Sequence, residues 1–513
     1  MKKQIIIAAT MLISLSGCND FLDRSPLSDL SPENYFKDKT EMTNWNAGIY
    51  GAFQSALQRN QAIWGDCRSD NIETTGYVNN NIYMNALTPT MSESNWQSVY
   101  QCITRCNTGI KMYPTIPNVL ESEYAPYMAQ AYGMRAFMYF YATRVWGRLP
   151  IVNDTWDGNL NTISTPRASL DEVKAQILAD IDQAINYFMI SNTSSVYYLS
   201  LAAMYDLRTE VYMWYHEYNK ALEASNYFIN NKNYSLAADE VEWKAAFENP
   251  EGSKEDIFAM SWSYINNGAS SGWPGLMGAS NTNNGYQMAE PLFDELIDRL
   301  YSGEGKDARL WCTLDTIALF YNGSRVPLSY ASYNVSGIQK CIKYSLKNPN
   351  AEYDANNQSF KSYYTVLNTT DSEIKQVFMR LSNVYYLRAE ALNKLGRGAE
   401  ALAIVNQLRQ RVGYLRDATL DVSSPDNVEE IENLILKERQ IEFYGEGQRW
   451  FDLMRTGKLV KVMGPIYSQR QEKAGVTVTG FGDEGTCYWP IYYREFESNK
   501  ALEGDQNPPY PER

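Results

Sequence analysis

Two carboxylates stand four residues apart in Lys437-Glu438-Arg439-Gln440-Ile441-Glu442. On a helix that spacing puts both on one face, and a pair of carboxylates is the minimum apparatus of glycoside hydrolysis. A working general acid needs its pKa raised. Arg439 and Arg449 are close by and are expected to pair with these acids and hold them ionised. The pair is therefore read as structural, and no catalytic residue is assigned. The only histidine is His216, in Tyr212-Met213-Trp214-Tyr215-His216-Glu217. Zinc sites and nucleophilic triads usually draw on histidine. A single one in a helix-like stretch reads as a surface or packing residue, so no metal site and no cofactor are expected.

Saccharide recognition asks for different residues. Sugar rings present apolar C–H faces inside a rim of hydroxyls, which suits aromatic platforms beside amide, carboxylate and guanidinium groups. The chain has 39 Tyr and 12 Trp against 17 Phe, a bias toward rings that keep a polar tip. Two segments combine such rings with hydrogen-bonding side chains outside clear helical periodicity. The first runs from Trp64 through Asp66, Arg68, Asp70, Tyr77 and Asn79 to Tyr83. The second runs from Trp262 and Tyr264 through Trp273, Tyr286, Trp311 and Tyr330 to Tyr333. Asp66, Arg68, Asn79, Tyr83, Trp273, Tyr286 and Tyr330 are the candidate ligand contacts.

Charge narrows the partners. There are 46 Lys and Arg against 60 Asp and Glu, a net charge of −14, with no long basic run. Neutralising phosphates needs clustered cations, so nucleic acid is not an expected partner. The folded body is not drawn to an anionic bilayer either.

The elements that must position these residues follow from periodicity. Met1-Lys2-Lys3, an apolar stretch and Leu15-Ser16-Gly17-Cys18 have the parts of an export signal. The apolar stretch is too short to span a bilayer. Leu15-Ser16-Gly17-Cys18 resembles the lipobox of bacterial lipoproteins, which implies cleavage after residue 17 and acylation of Cys18. Residues 18–40 then read as a lipidated tether and lead-in, and 41–513 as a single domain. Helices are predicted over 41–57, 95–113, 124–146 and 170–188, and as two helices within 196–230. A further pair is predicted over 376–412, turning at Gly396-Arg397-Gly398. Its Ala391-x-x-x-Leu395-Gly396 and Ala401 resemble a tetratricopeptide unit. Between about 251 and 360, Gly, Asn, Ser and Tyr dominate and helical periodicity fades, as in a functional loop region. Cys67, Cys102, Cys106, Cys312, Cys341 and Cys487 remain in the mature chain, and no pairing is assigned.

Three stretches coincide with one family. They are Arg135-Ala136-Phe137-Met138-Tyr139-Phe140 with Arg144 and Trp146-Gly147-Arg148-Leu149-Pro150; Glu438-Arg439-Gln440-Ile441-Glu442 with Glu446-Gly447-Gln448-Arg449-Trp450-Phe451-Asp452; and Pro490-Ile491 with Glu495, Asn499, Leu502 and Gln506-Asn507-Pro508-Pro509-Tyr510. Together they resemble the SusD/RagB family of nutrient-binding outer-membrane lipoproteins. Ala142, Thr143, Tyr492 and Pro509 depart from its usual residues and touch packing and a terminal turn. The resemblance implies a mostly α fold of tetratricopeptide-like helix pairs supporting an irregular, loop-rich ligand-binding region. It implies a lipid-anchored protein facing the cell exterior, binding oligosaccharide without turning it over. It also implies a SusC-like TonB-dependent transporter as partner, and ligand contacts from the two aromatic segments, brought together on one face. Peptide capture, as in RagB-like relatives, and a lipid-anchored glycosidase are the alternatives.

Overall fold

The computed structural model describes residues 35–512, apart from 75–79, 155–163, 194, 263–271, 278–285, 315–340, 342, 345–351, 355–358 and 362–373. The leader, Cys18, Asn79 and Tyr330 thus lie outside the described residues.

The scaffold is a succession of paired helices: α1 (Lys39–Leu57), α2 (Gln97–Met112), α3 (Glu121–Trp146), α4 (Leu170–Ile190), α5 (Leu201–Trp214) and α6 (Tyr218–Ile229). Local chemistry starts and stops them. Asp38 and Glu41 close a capping box on α1, and Ser169 and Glu172 do the same on α4, satisfying amide donors that a first turn leaves orphaned. The α3 helix ends at Gly147, whose φ of +76° suits glycine far better than residues with a Cβ. Apolar residues then dictate packing. Ile49, Phe53 and Leu57 of α1 and Val173, Ile177 and Ile181 of α4 are fully buried stripes. From Met128 to Trp146, α3 is buried almost all round, because α1, α2 and α4 pack against it on different sides.

The array continues after a long excursion. The helices α7 (Glu240–Glu248) and α8 (Glu290–Tyr301) intervene, followed by the hairpin of α9 (Leu381–Lys394) and α10 (Gly398–Gln410), then α11 (Val428–Glu442), α12 (Arg449–Arg455) and α13 (Leu459–Ala474). The α9 helix packs on α5 and α6 as well as on α10 and α11, so the helix pairs stack as neighbours although residues 230–380 separate them in sequence. Only short two-stranded sheets are present among the described residues. They are β1 (Ile72–Thr74) with β5 (Tyr286–Met288), β2 (Leu149–Pro150) with β3 (Arg167–Ala168), β4 (Asp256–Ser261) with β8 (Lys375–Arg380), and β6 (Glu352–Asp354) with β7 (Ser359–Lys361). One cluster of buried apolar residues extends from Phe36 to Leu502.

Four expectations are corrected. Residues 376–380 are not helix but strand β8, antiparallel to β4 with Ala259 opposite Val377. The run Gln376-Val377-Phe378-Met379 is buried throughout, and a short continuous apolar run has no period that separates strand from helix. Residues 196–200 also precede their helix, which Ser200 caps through the amide of Ala203. His216 sits exposed in the turn between α5 and α6 at φ +59°, with Nε2 2.9 Å from the carbonyl oxygen of Arg455. Within 251–360, α8 adds a helix that was not expected; Leu292, Phe293, Leu296 and Leu300 are its buried stripe. The six cysteines are free thiols, five of them buried.

One close approach is decisive for the fold. A Cβ added to Gly65 would lie 1.9 Å from the carbonyl oxygen of Gly447, whose own φ is +72°. This backbone contact joins the N-terminal segment to the turn before α12. Gly65→Ala should therefore lower stability by about 1–3 kcal/mol or more, the usual range for overpacking, read as a reduced urea midpoint.

Candidate functional site

The two aromatic segments meet. Strands β1 and β5 pair with Thr74 opposite Tyr286 and Ile72 opposite Met288. Tyr286 donates its hydroxyl to Oδ1 of Asn80 at 3.0 Å, and Tyr83 donates to Oε1 of Glu73 at 3.2 Å. Chain residues far apart in sequence thus form one edge, with Asn81 exposed and Glu73 and Asn80 half-exposed. Lys473 of α13 lies 3.8 Å from Glu73. Carboxylate, amide and ammonium groups here can hydrogen-bond hydroxyls of a ligand.

Five of the seven contacts expected from sequence, Asp66, Arg68, Tyr83, Trp273 and Tyr286, are buried, while Asn79 and Tyr330 lie outside the described residues. Asp66 is inaccessible. Its Oδ2 accepts the amide of Gly447 at 2.7 Å and its Oδ1 accepts Asn71 Nδ2 at 2.9 Å. Burial pushes its pKa up to about 7, against the pull of those two donors. Arg68 is equally buried: its guanidinium lies 3.8 Å from the ring centroid of Trp450 and donates to Oδ1 of Asn85 at 2.6 Å. Arg470 covers the ring of Tyr83 at 3.8 Å. Trp273 is buried, donates Nε1 to the carbonyl of Gly445 at 3.0 Å and meets Tyr344 edge-on at 4.7 Å. Tyr286 is buried as well. Asp66, Arg68, Tyr83 and Trp273 have found partners in residues 444–489, and Tyr286 in Asn80, which proximity in sequence does not reveal. They hold the edge in place rather than present it to solvent.

The carboxylate pair is the other candidate. Glu438 and Glu442 are fully buried on α11. Glu438 accepts from Arg299 at 2.8 Å, Arg309 at 2.9 Å and Arg409 at 2.8 Å. Glu442 accepts from Arg380 at 2.6 Å and Trp243 Nε1 at 2.8 Å, and pairs with Arg411. Burial alone would raise both pKa values, but the surrounding guanidiniums outweigh it and hold both carboxyls well below the usual range. Neither can supply a proton near neutral pH. Pairing with arginine was expected, yet the partners differ from those expected. Arg439 forks onto Asp452, at 2.8 Å from each oxygen, and Arg449 onto Asp70. Arg135 likewise forks onto Asp180. Sequence reasoning missed Arg299, Arg309, Arg380, Arg409 and Arg411. The one available signal was Arg380 at the end of an apolar run, where an unpaired charge would be costly.

Further support comes from known proteins. A family model described as the SusD family matches residues 212–510, and one described as "Starch-binding associating with outer membrane" matches residues 20–213. SusD-like protein P38 of Formosa agariphila is 28% identical, covering 99% of this chain and 99% of its own. SusD-like protein P2 of the same organism is 27% identical, with 91% and 93% covered. Among solved structures, a SusD superfamily protein from Bacteroides vulgatus superposes with a TM-score of 0.69 at 18% identity, covering 91% of this chain and 98% of that one. Surface glycan-binding protein A from Bacteroides thetaiotaomicron gives 0.67 at 19%, covering 92% and 100%.

The depressed carboxyls set an acid limit on the fold. A group whose folded pKa lies below its unfolded value contributes stability above the unfolded value, about 4.3 for Glu, and loses it as pH falls toward the folded one. Glu438→Gln should cost about 3–5 kcal/mol near pH 7, because it strands buried arginines. The gap between variant and wild type should narrow as pH falls from 5 to 3, as followed by chemical denaturation across that range.

Proposed function

The chain belongs to the SusD family, and on that premise we propose that it is a cell-surface lipoprotein that captures oligosaccharide and passes it, chemically unchanged, to a SusC-like TonB-dependent transporter. The observation that carries this reading is the end-to-end match of residues 20–510 to two family models, the first described as starch-binding and associated with the outer membrane. The fold it shares with a protein named for surface glycan binding supports the same ligand class. Residues 41–513 act as one ligand-binding body, a reading supported by an apolar cluster that reaches from Phe36 to Leu502, beside which a second cluster gathers residues between Met213 and Phe443.

A non-catalytic role is supported by the state of the acid pair. Glycosidases need one carboxyl to give up a proton and a second to attack or to activate water. Glu438 and Glu442 are instead locked as anions by arginines and shut away from solvent. Attachment to the outer membrane would come from acylated Cys18, each buried methylene of its chains contributing about 0.8 kcal/mol. No helix among the described residues is long and apolar enough to cross a membrane.

Calorimetry on the mature chain with maltoheptaose, laminarihexaose, xylohexaose and mannohexaose tests the reading. Saturable binding by at least one of them is expected, with a Kd of about 1 µM to 1 mM, and with each sugar recovered intact by chromatography. Shortened products would overturn the non-catalytic assignment. Binding of peptides alone would move the protein to peptide capture. Co-purification with a large outer-membrane barrel from the native host checks the transporter partnership.

A further inference from the structure

One crevice lies away from both aromatic segments, where the helix array resumes after its long excursion. It measures about 570 Å³ and is walled by the end of α6, residues 231–238, and the helices α9 and α10. Tyr234 and Tyr385 stand half-buried in it, so each ring keeps part of its surface in solvent. Gln407 and Gln410, three apart on α10, are exposed along the crevice. The side chains of Gln407, Gln410 and Lys232 and the hydroxyl of Tyr385 make no hydrogen bond or ion pair with any described residue. Beneath them Arg411 is held by Glu255 and Glu442, while its Nε–H has no acceptor.

The chemistry of this lining is selective. Arg411 has its charge answered by two carboxylates, and no Asp or Glu lines the crevice. What is left to meet a ligand is two phenol rings, the amides of Gln407 and Gln410, the half-buried amide of Asn231, the Ser235 hydroxyl and one ammonium. Ring faces beside uncharged amides fit a polyhydroxylated molecule and offer little to an apolar chain, while the exposed Lys232 ammonium can also donate to ligand oxygens. The site sits on packed helices whose positions are fixed by their core, which favours a preformed contact surface. Residues 235–238 also border a neighbouring crevice of about 540 Å³. A ligand longer than one sugar ring therefore has room on the far side of that segment.

We propose that this crevice is a second saccharide subsite, carried by the helical scaffold and separate from the β1–β5 edge. It rests on the glycan-binding reading above. With two places to hold one chain, each weak contact raises the effective concentration at the other.

The test uses the full mature chain with the same four oligosaccharides. Hydrogen exchange should slow over residues 229–238 and 403–411 when a binding sugar is added. The exposed pair Gln407→Ala with Gln410→Ala should weaken binding about tenfold, the loss of a little over 1 kcal/mol, while leaving the thermal midpoint unchanged. Tyr385→Ala should weaken binding similarly, and Tyr385→Phe, which keeps the ring, should retain most of it. Wild-type affinity in every variant, with no protection of these residues, would overturn the subsite and leave the glycan-binding function standing. Failure of all four sugars to bind the wild-type chain would bring down both. Protection by an added peptide but by no sugar would refute the ligand class assigned here.

Discussion

Helix α11 carries Glu438 and Glu442 into a space where Arg299, Arg309, Arg380, Arg409 and Arg411 converge. Charges out of water are expensive, and their mutual attraction offsets that cost only when every partner is in place. Here the condition is met by residues from both halves of the chain. Arg299 and Arg309 come from the irregular region, Arg409 and Arg411 from the end of the α9–α10 hairpin, and Arg380 from strand β8. Buried Lys343 adds a second link, donating to the carbonyl of Glu442 at 2.7 Å and to Glu446 at 2.6 Å. The network thus ties the loop-rich half to the helical scaffold through directional bonds that apolar packing alone would not supply.

The same device recurs at smaller scale wherever helix pairs meet. Arg135 with Asp180 joins α3 to α4, Arg439 with Asp452 joins α11 to α12, and Arg455 with Glu390 joins α12 to α9. Each is a planar guanidinium forking onto a carboxylate, a geometry that fixes angle as well as distance. Around them the core is filled by buried aromatic and aliphatic side chains. A scaffold tied this way leaves few degrees of freedom to the edge it supports, so a ligand meeting that edge faces groups already in position.

The predicted binding residues show how far residue type can be trusted. Tyr and Trp are amphipathic, so the same ring serves a wet platform or a core with one satisfied polar tip. Trp273, Tyr83 and Tyr286 took the second role because partners arrived from distant chain: the carbonyl of Gly445, the guanidinium of Arg470 and the amide of Asn80. Asp66 and Arg68 were absorbed in the same way by Gly447 and Trp450. What was legible was coarser: the two segments do come together, as strands β1 and β5. Tyr385 and Gln407 lie within a helix pair already read as scaffold, where nothing in the periodicity marks a concave surface.

Sequence by itself determined the helices with long apolar stripes and clear caps, such as α1 and α4, since a repeat of 3.6 residues with a stop signal admits one local answer. It determined the family as well, through motifs whose order and spacing survive without any coordinates. Tertiary structure alone decided that residues 376–380 are a strand, because a buried five-residue run takes its conformation from the neighbour it pairs with. It alone decided which arginine answers which carboxylate, and which aromatic rings are left facing water. Those outcomes depend on distances between residues hundreds of positions apart, and no local pattern encodes such distances.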